Sequence, residues 1–287
     1  MVPDLLADWP TIQHRTFNWW QQEKREYVWQ LHDDLVMLRG EEPDDLSSSE
    51  RVTALVPTSP IERHPDTSMI LATIQSIRDR LPHAEILVMI DGIRPEQEHY
   101  RERYDEYKTR LLWEINQMPL VCPVLFDTFQ HQANMTRHTL RMVRTGLVLF
   151  VEHDTPLVGE IPFDDIGHSI LDDTFNWVRF HWDPSIHPEH VYLMVDDPIT
   201  VRDVRFQKTV QWSQRPHLAR TDRYRAWIEC IATTSRTMIE DAMYGPCANA
   251  DWDEYRHAIY LPEGDIQRSG NFDGRGENDP KYEMIYQ

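Results

Sequence analysis

The sequence predicts an open α/β protein with a mostly parallel central sheet flanked by helices. Three observations carry that expectation. Short apolar runs recur at residues 52–56, 85–90, 121–126 and 147–151; amphipathic stretches of helical length separate them; and the second and fourth runs stop at acidic residues. Buried-type strands joined by helices imply right-handed crossovers and a parallel arrangement.

The elements follow in chain order. In residues 11–38, Phe17, Trp20, Tyr27, Leu31 and Leu35 recur near the helical period, and residues 41–50 (EEPDDLSSSE) have the composition of an acidic linker. Residues 1–50 are therefore expected to form an N-terminal helical extension and linker. From residue 51 the first strand closes at Pro57. Asp66 or Thr67 can cap a helix running through Ile70, Ile74 and Ile77 to about Arg80. The second strand ends in Asp91-Gly92, a polar helix spans about 96–116, and a third strand precedes a helix containing Met135, Leu140 and Val143. The fourth strand ends in Glu152-His153-Asp154. This first half is assigned to 51–157. In 158–287, strands are expected at 177–181, 191–195 and 201–206 and helices at 222–233 and 236–244. The last 35 residues, rich in Gly, Asp and Arg, are expected to form a closing loop.

Composition excludes several classes. The chain has 287 residues, 40% of them apolar and ten of them Trp, ample for a buried core. A formal charge of −19 argues against holding nucleic acid through bulk electrostatics. No apolar run approaches a membrane span and the start lacks a signal-peptide layout, so a soluble cytoplasmic protein is expected. The three cysteines show no CxxC pairing, and the fourteen histidines no HExxH spacing, so neither a disulfide framework nor a zinc centre is expected. Also absent are GxxxxGK[ST], GxGxxG and GxSxG.

In an open α/β sheet the ligand sits beyond the carboxyl ends of the strands. Thr58 and Ser59, Asp91, and Glu152 with Asp154 occupy such ends. In VLFVEHDTPL (148–157) two carboxylates separated by one residue can face the same side and meet a ligand together. Mn²⁺ or Mg²⁺ takes carboxylate and phosphate oxygens, which suits one acid on a metal and the other on a ribose hydroxyl. QWSQRPHLAR (211–220) combines rings that stack on sugars or bases with groups that bond hydroxyls or phosphates, making Trp212, Arg215 and His217 candidates for an acceptor-binding wall. Arg268 and Arg275, among glycines near the C-terminus, are candidates for neutralising a departing diphosphate.

The order of strand, loop, strand ending in Asp, helix, strand and acidic triplet resembles the glycosyltransferase A fold, especially family 2-like enzymes. NMTRHTLRMVRTGLVLFVEHD (134–154) resembles their helix of the form ARNxGlxxAxG leading into the metal strand. The likeness covers 51 to about 157 and departs in having Glu at the first triplet acid and one residue fewer before the strand. It implies metal-dependent transfer from a nucleoside diphosphate sugar, with a UDP-sugar favoured and Mn²⁺ or Mg²⁺ as cofactor. Asp91 would contact the nucleotide base, with Thr58 and Ser59 in the same loop region; Glu152 would meet the ribose and Asp154 the metal. Arg137 falls near the family's helix Asn or Arg, and Asn271 or Asp273 would supply a further metal ligand. RTMIEDAMYG (236–245) resembles the Glu-Asp pair of inverting members, Asp241 standing 87 residues beyond Asp154. Asp241 would then be the base that deprotonates the acceptor, supported by Glu240. A glycan, a protein or a modified DNA base would be the acceptor, the last disfavoured by charge. The alternatives are a nucleotidyltransferase of related fold, which would show a Gly-rich basic loop where this chain has PTSPIERHPDT, and a non-catalytic sugar or nucleotide binder.

Overall fold

A computed structural model describes residues 51–231 and 237–272. The expected N-terminal extension and linker, and with them Asp273 and Arg275, lie outside the described residues.

β1 (Val52–Thr58), β2 (Glu85–Ile90), β3 (Val121–Leu125) and β4 (Leu147–Phe150) form the parallel part of the sheet, with Leu55 opposite Leu87 on one side and Phe150 on the other. Nearly every residue in them is buried, which is why they read as unbroken apolar runs. α1 (Ser68–Arg80) buries Ile70, Ile74 and Ile77, and α2 (Arg101–Asn116) buries Tyr104, Tyr107, Leu111 and Ile115. Those spacings put each set on one helical stripe against the sheet. α3 (His131–Leu140) leads into β4.

Nine strands run in the order β3-β2-β1-β4-β8-β5-β9-β7-β6. β8 (His217–Arg220) lies antiparallel between β4 and β5 (Trp177–Arg179); β9 (His257–Tyr260) is parallel to β5; β7 (Val204–Thr209) and β6 (Met194–Val201) close the edge antiparallel. Half of the pairings are antiparallel, so the expected mostly parallel sheet is a mixed one. The cause is β8 and β9, whose short HLAR and HAIY segments carry buried histidines that disguise a strand. Residues 188–193, partly expected as strand, form a 3₁₀ turn before β6. Arg202 and Asp203, both at positive φ (50° and 63°), make a two-residue hairpin between β6 and β7. α4 (Phe163–Leu171) is an additional helix, followed by α5 (Thr221–Ile231), α6 (Ile239–Ala248) and the short α7 (Trp252–Tyr255).

The chain leaves β1 toward β2 and β3 on one side and returns to β4 on the other. The strand order reverses between β1 and β4, the place at which open α/β sheets bind ligands beyond the carboxyl ends of their strands. At that end the loop after β2 meets the loop after β3: a Cβ on Gly92 would sit 2.3 Å from the Thr128 carbonyl carbon and 2.4 Å from the Phe129 nitrogen. Gly92→Ala is therefore expected to cost about 3 kcal/mol through forced backbone displacement. Thermal unfolding checks it, with an unchanged melting temperature as the contrary result.

Candidate functional site

Asp91 follows β2 at 2% exposure. Its Oδ1 accepts the Gly92 and Gln130 N–H groups at 2.8 and 2.7 Å, and its Oδ2 accepts that of His131 at 3.0 Å. Gln130 and His131 open α3, so a side chain from another strand caps this helix where its dipole favours an anion. Burial raises the carboxyl above its ordinary range, opposed by these three bonds and by Arg94. Tyr104 donates to the Asp91 carbonyl at 2.8 Å, tying the same loop to α2.

With α3 so placed, Gln132 becomes a bridge. Its Nε2 donates to Glu152 Oε1 at 2.7 Å, while its Oε1 accepts the N–H of Ile239, the first residue of α6, at 3.1 Å. The Ala133 N–H also reaches the Thr237 carbonyl. One amide thus links the acid after β4 to the helix that carries Glu240 and Asp241. Glu240 Oε2 accepts the Gln214 N–H at 3.0 Å. Burial raises the Glu152 carboxyl well above the glutamate range, and Asp154 and Glu240 add to the shift; Arg215 and the Gln132 bond oppose it.

Two cations answer these acids. Arg215 lies with its guanidinium 3.9 Å over the Trp182 ring. Arg179, at the end of β5 and 2% exposed, donates twice to Gln211 Oε1 at 3.2 Å. Burial lowers its guanidinium to about 10, Glu240 acting in the opposite direction, so it is a cation at neutral pH. Arg179 Nε is a buried donor with no hydrogen-bond partner among the described residues. An orphaned donor of this kind suits the oxygen of a ligand or a water.

The loop after β4 is clamped from two sides. Thr73 and Ser76 of α1 bond the His153 carbonyl and the Leu157 N–H at 2.9 and 3.0 Å. On the other flank the Gly270 and Phe272 N–H groups donate to the Pro156 and Asp154 carbonyls at 2.6 and 2.7 Å. This runs the backbone of Asn271, between those two donors, along the loop that carries Asp154. The described end of the C-terminal segment therefore adjoins the acidic triplet.

Other predicted residues lie elsewhere. Trp212 and His217 have no exposed surface and cannot form an acceptor wall. Trp212 stacks on Trp177 and Tyr224, and its indole donates to Gln214 Oε1 at 3.4 Å. His217 stacks on Phe150, bonds the Arg215 carbonyl and faces the Tyr224 hydroxyl, and burial lowers its imidazole to about 3. Both were misread because aromatic and polar residue types alone do not distinguish a core from a wall. The Thr58 hydroxyl is buried against that of Tyr107 at 2.9 Å, while Ser59 beside it is half-buried. Arg137 sits in the last turn of α3, away from the turn that meets Glu152. Arg268 spends its guanidinium on the carbonyls of Glu160, Asp265 and Gln267. Asp241 is exposed in the first turn of α6, where its charge reaches the His131 ring. Gln132, Arg179, Gln211 and Gln214 were missed. Of these, only the Gln-rich 211–214 stretch carried a signal.

No group of three or more His, Cys, Asp or Glu that could hold a metal ion occurs among the described residues. The two carboxylates after β4, Glu152 and Asp154, are hard oxygen donors that fit a divalent ion only where a ligand's oxygens complete its shell, not a closed protein cage. No helix among the described residues is long and apolar enough to cross a membrane.

The fold is that of the glycosyltransferase A class. Staphylococcus aureus TarS 1–349 in complex with UDP-GlcNAc matches with a TM-score of 0.51 and 13% identity over 83% of this chain and 62% of that one. TarS 1–349 alone matches at 0.50 and 12%, covering 77% and 60%. The chain thus spans roughly three-fifths of the length of these solved chains. The Pyrobaculum calidifontis mannosyltransferase PcManGT, solved with GDP-Man and Mn²⁺, matches at 0.44 and 13%, covering 85% and 67%. No protein-family model matches the sequence, and comparison with curated proteins finds no match.

The Glu152 shift has a pH consequence. A carboxyl raised in the folded state resists ionisation there while the unfolded chain ionises from its ordinary value of 4.5. Stability is thus lost as pH rises above that value toward the raised one. In chelator, the melting temperature of the wild type is expected to fall relative to Glu152→Gln over this range. Parallel pH profiles for the two proteins would contradict the raised proton affinity of Glu152.

Proposed function

We propose that the chain transfers a glycosyl group from a nucleoside diphosphate sugar to a hydroxyl acceptor, with inversion and in a metal-dependent manner. The carrying observation is the Gln132 bridge. It sets Glu152, beside Asp154, against the helix end bearing Glu240 and Asp241, at the switch point of a glycosyltransferase A sheet.

Asp154, with Asn271 offered from the adjoining C-terminal segment, would hold Mn²⁺ or Mg²⁺ together with the donor's diphosphate. A divalent ion there supplies positive charge as the leaving group becomes more anionic. Glu152, with its raised proton affinity, suits hydrogen bonding to a ribose hydroxyl. Arg215, near Glu152, and the orphaned Nε of Arg179 offer the departing phosphate further compensation. Asp241 is reachable from solvent and takes the acceptor hydroxyl's proton as its oxygen bonds to the anomeric carbon. The bond from that carbon to the diphosphate oxygen breaks and the nucleoside diphosphate leaves. Glu240, held by the Gln214 N–H, orients the acceptor. Asp91 is a positioning residue in this scheme, since both its oxygens serve backbone N–H groups.

UDP is the favoured donor nucleotide because one structure sharing the fold holds UDP-GlcNAc. Calorimetric titration of UDP, then GDP, with Mn²⁺ and with chelator tests the reading; binding of neither, or binding indifferent to metal, overturns it. Asp154→Ala is expected to abolish metal-dependent UDP binding. Asp241→Asn is expected to keep that binding and lower transfer by about 10²–10⁴-fold. Normal transfer by Asp241→Asn would remove Asp241 from its role.

A further inference from the structure

Three of the large apolar side chains left in solvent stand together. Tyr192 is 73% exposed, Val191 56% and Tyr244 40%, and the two tyrosine hydroxyls meet at 3.3 Å. Tyr192 and Val191 belong to the 3₁₀ turn before β6, whereas Tyr244 belongs to α6. On α6, Ile239, Met243 and Cys247 form the buried stripe. Tyr244 lies three residues beyond Asp241 and four beyond Glu240, so it stands one turn along the helix on their side.

We propose that Tyr192 and Tyr244 form the acceptor subsite and that the acceptor is an uncharged saccharide, an assignment that rests on the transferase reading. A sugar ring has an apolar C–H face and a hydroxyl rim. An aromatic ring with a polar tip complements both, and its burial here costs little side-chain freedom. Two rings from separate elements, joined only at their hydroxyls, leave ring surface exposed one turn from the acid that takes the acceptor's proton. Charge decides between acceptors. Glu189 and Asp197 nearby in sequence are exposed acids, Asp196 between them is paired with Lys208 at 3.5 Å, and the chain carries −19 overall, a balance that favours an uncharged acceptor over a phosphate-rich polymer or a nucleic acid.

Saturation-transfer NMR tests this with cellobiose, maltose, lactose and N,N′-diacetylchitobiose, each added to the full chain with UDP and Mn²⁺, and with a neutral serine-containing peptide as the competing class. At least one saccharide is expected to receive saturation on its ring protons. Tyr192→Ala/Tyr244→Ala should weaken its binding by about tenfold, equivalent to losing about 1.4 kcal/mol. The Phe double variant, which keeps the rings, should retain most of the binding, and UDP affinity should be unchanged in both variants. UDP binding without any saccharide signal, an undiminished signal in the Ala double variant, or binding of the peptide alone overturns the assignment. Failure of UDP itself to bind the wild type instead overturns the transferase reading beneath it.

Discussion

The carboxylate of Asp91 holds the site together. A buried anion is tolerated only when hydrogen bonds replace the water it gives up, and here three backbone N–H groups do so. Bonds of this charge-assisted kind contribute roughly 1.5–3 kcal/mol each. Two of the three come from the start of α3, so the same interaction that satisfies Asp91 sets where that helix begins. His131 completes it in a left-handed conformation, φ 66°, which few side chains adopt without support from their surroundings. Gly92, which admits no side chain, allows the two loops to meet closely enough for those bonds to form.

Everything downstream follows from the placement of α3. Its first turn delivers Gln132, and Gln132 has one donor and one acceptor engaged on elements that are far apart in sequence, Glu152 and Ile239. The α6 helix is thereby registered against the end of β4. Beneath it, Trp177, Trp212, Tyr224 and His217 pack as an aromatic floor that carries Gln214 toward Glu240. The result is a set of acids with Arg179 and Arg215 as counter-charges and with the Arg179 Nε donor unpaired among the described residues. Such an arrangement is costly for stability alone.

The parallel half of the fold was legible because its strands are buried on both faces and therefore write themselves as apolar runs. β8 and β9 were not legible: each is four residues long, and His217 and His257 break the apolar pattern although both are fully buried among aromatic rings. Within the proposed site, Glu152 and Asp154 stand out in the sequence because adjacency along one strand end is a local property. The role of Asp91 could not be, since its partners lie 39 and 40 residues away. Gln132 and Arg179 were invisible for the same reason: a glutamine in a helix or an arginine in a strand acquires meaning only from what the topology brings against it. Trp212 and His217 show the converse error, residue types suited to binding a sugar but recruited into the core.

The most direct test of this arrangement is paramagnetic broadening of backbone amide signals by Mn²⁺ added with UDP. If the strand end and the helix end form one site, signals of Glu152 to Thr155, Gln214 to Arg215 and Ile239 to Asp241 broaden together, and only when both Mn²⁺ and UDP are present. Broadening that ignores UDP, or that leaves the Ile239 to Asp241 signals sharp while those of Glu152 to Thr155 broaden, would contradict it.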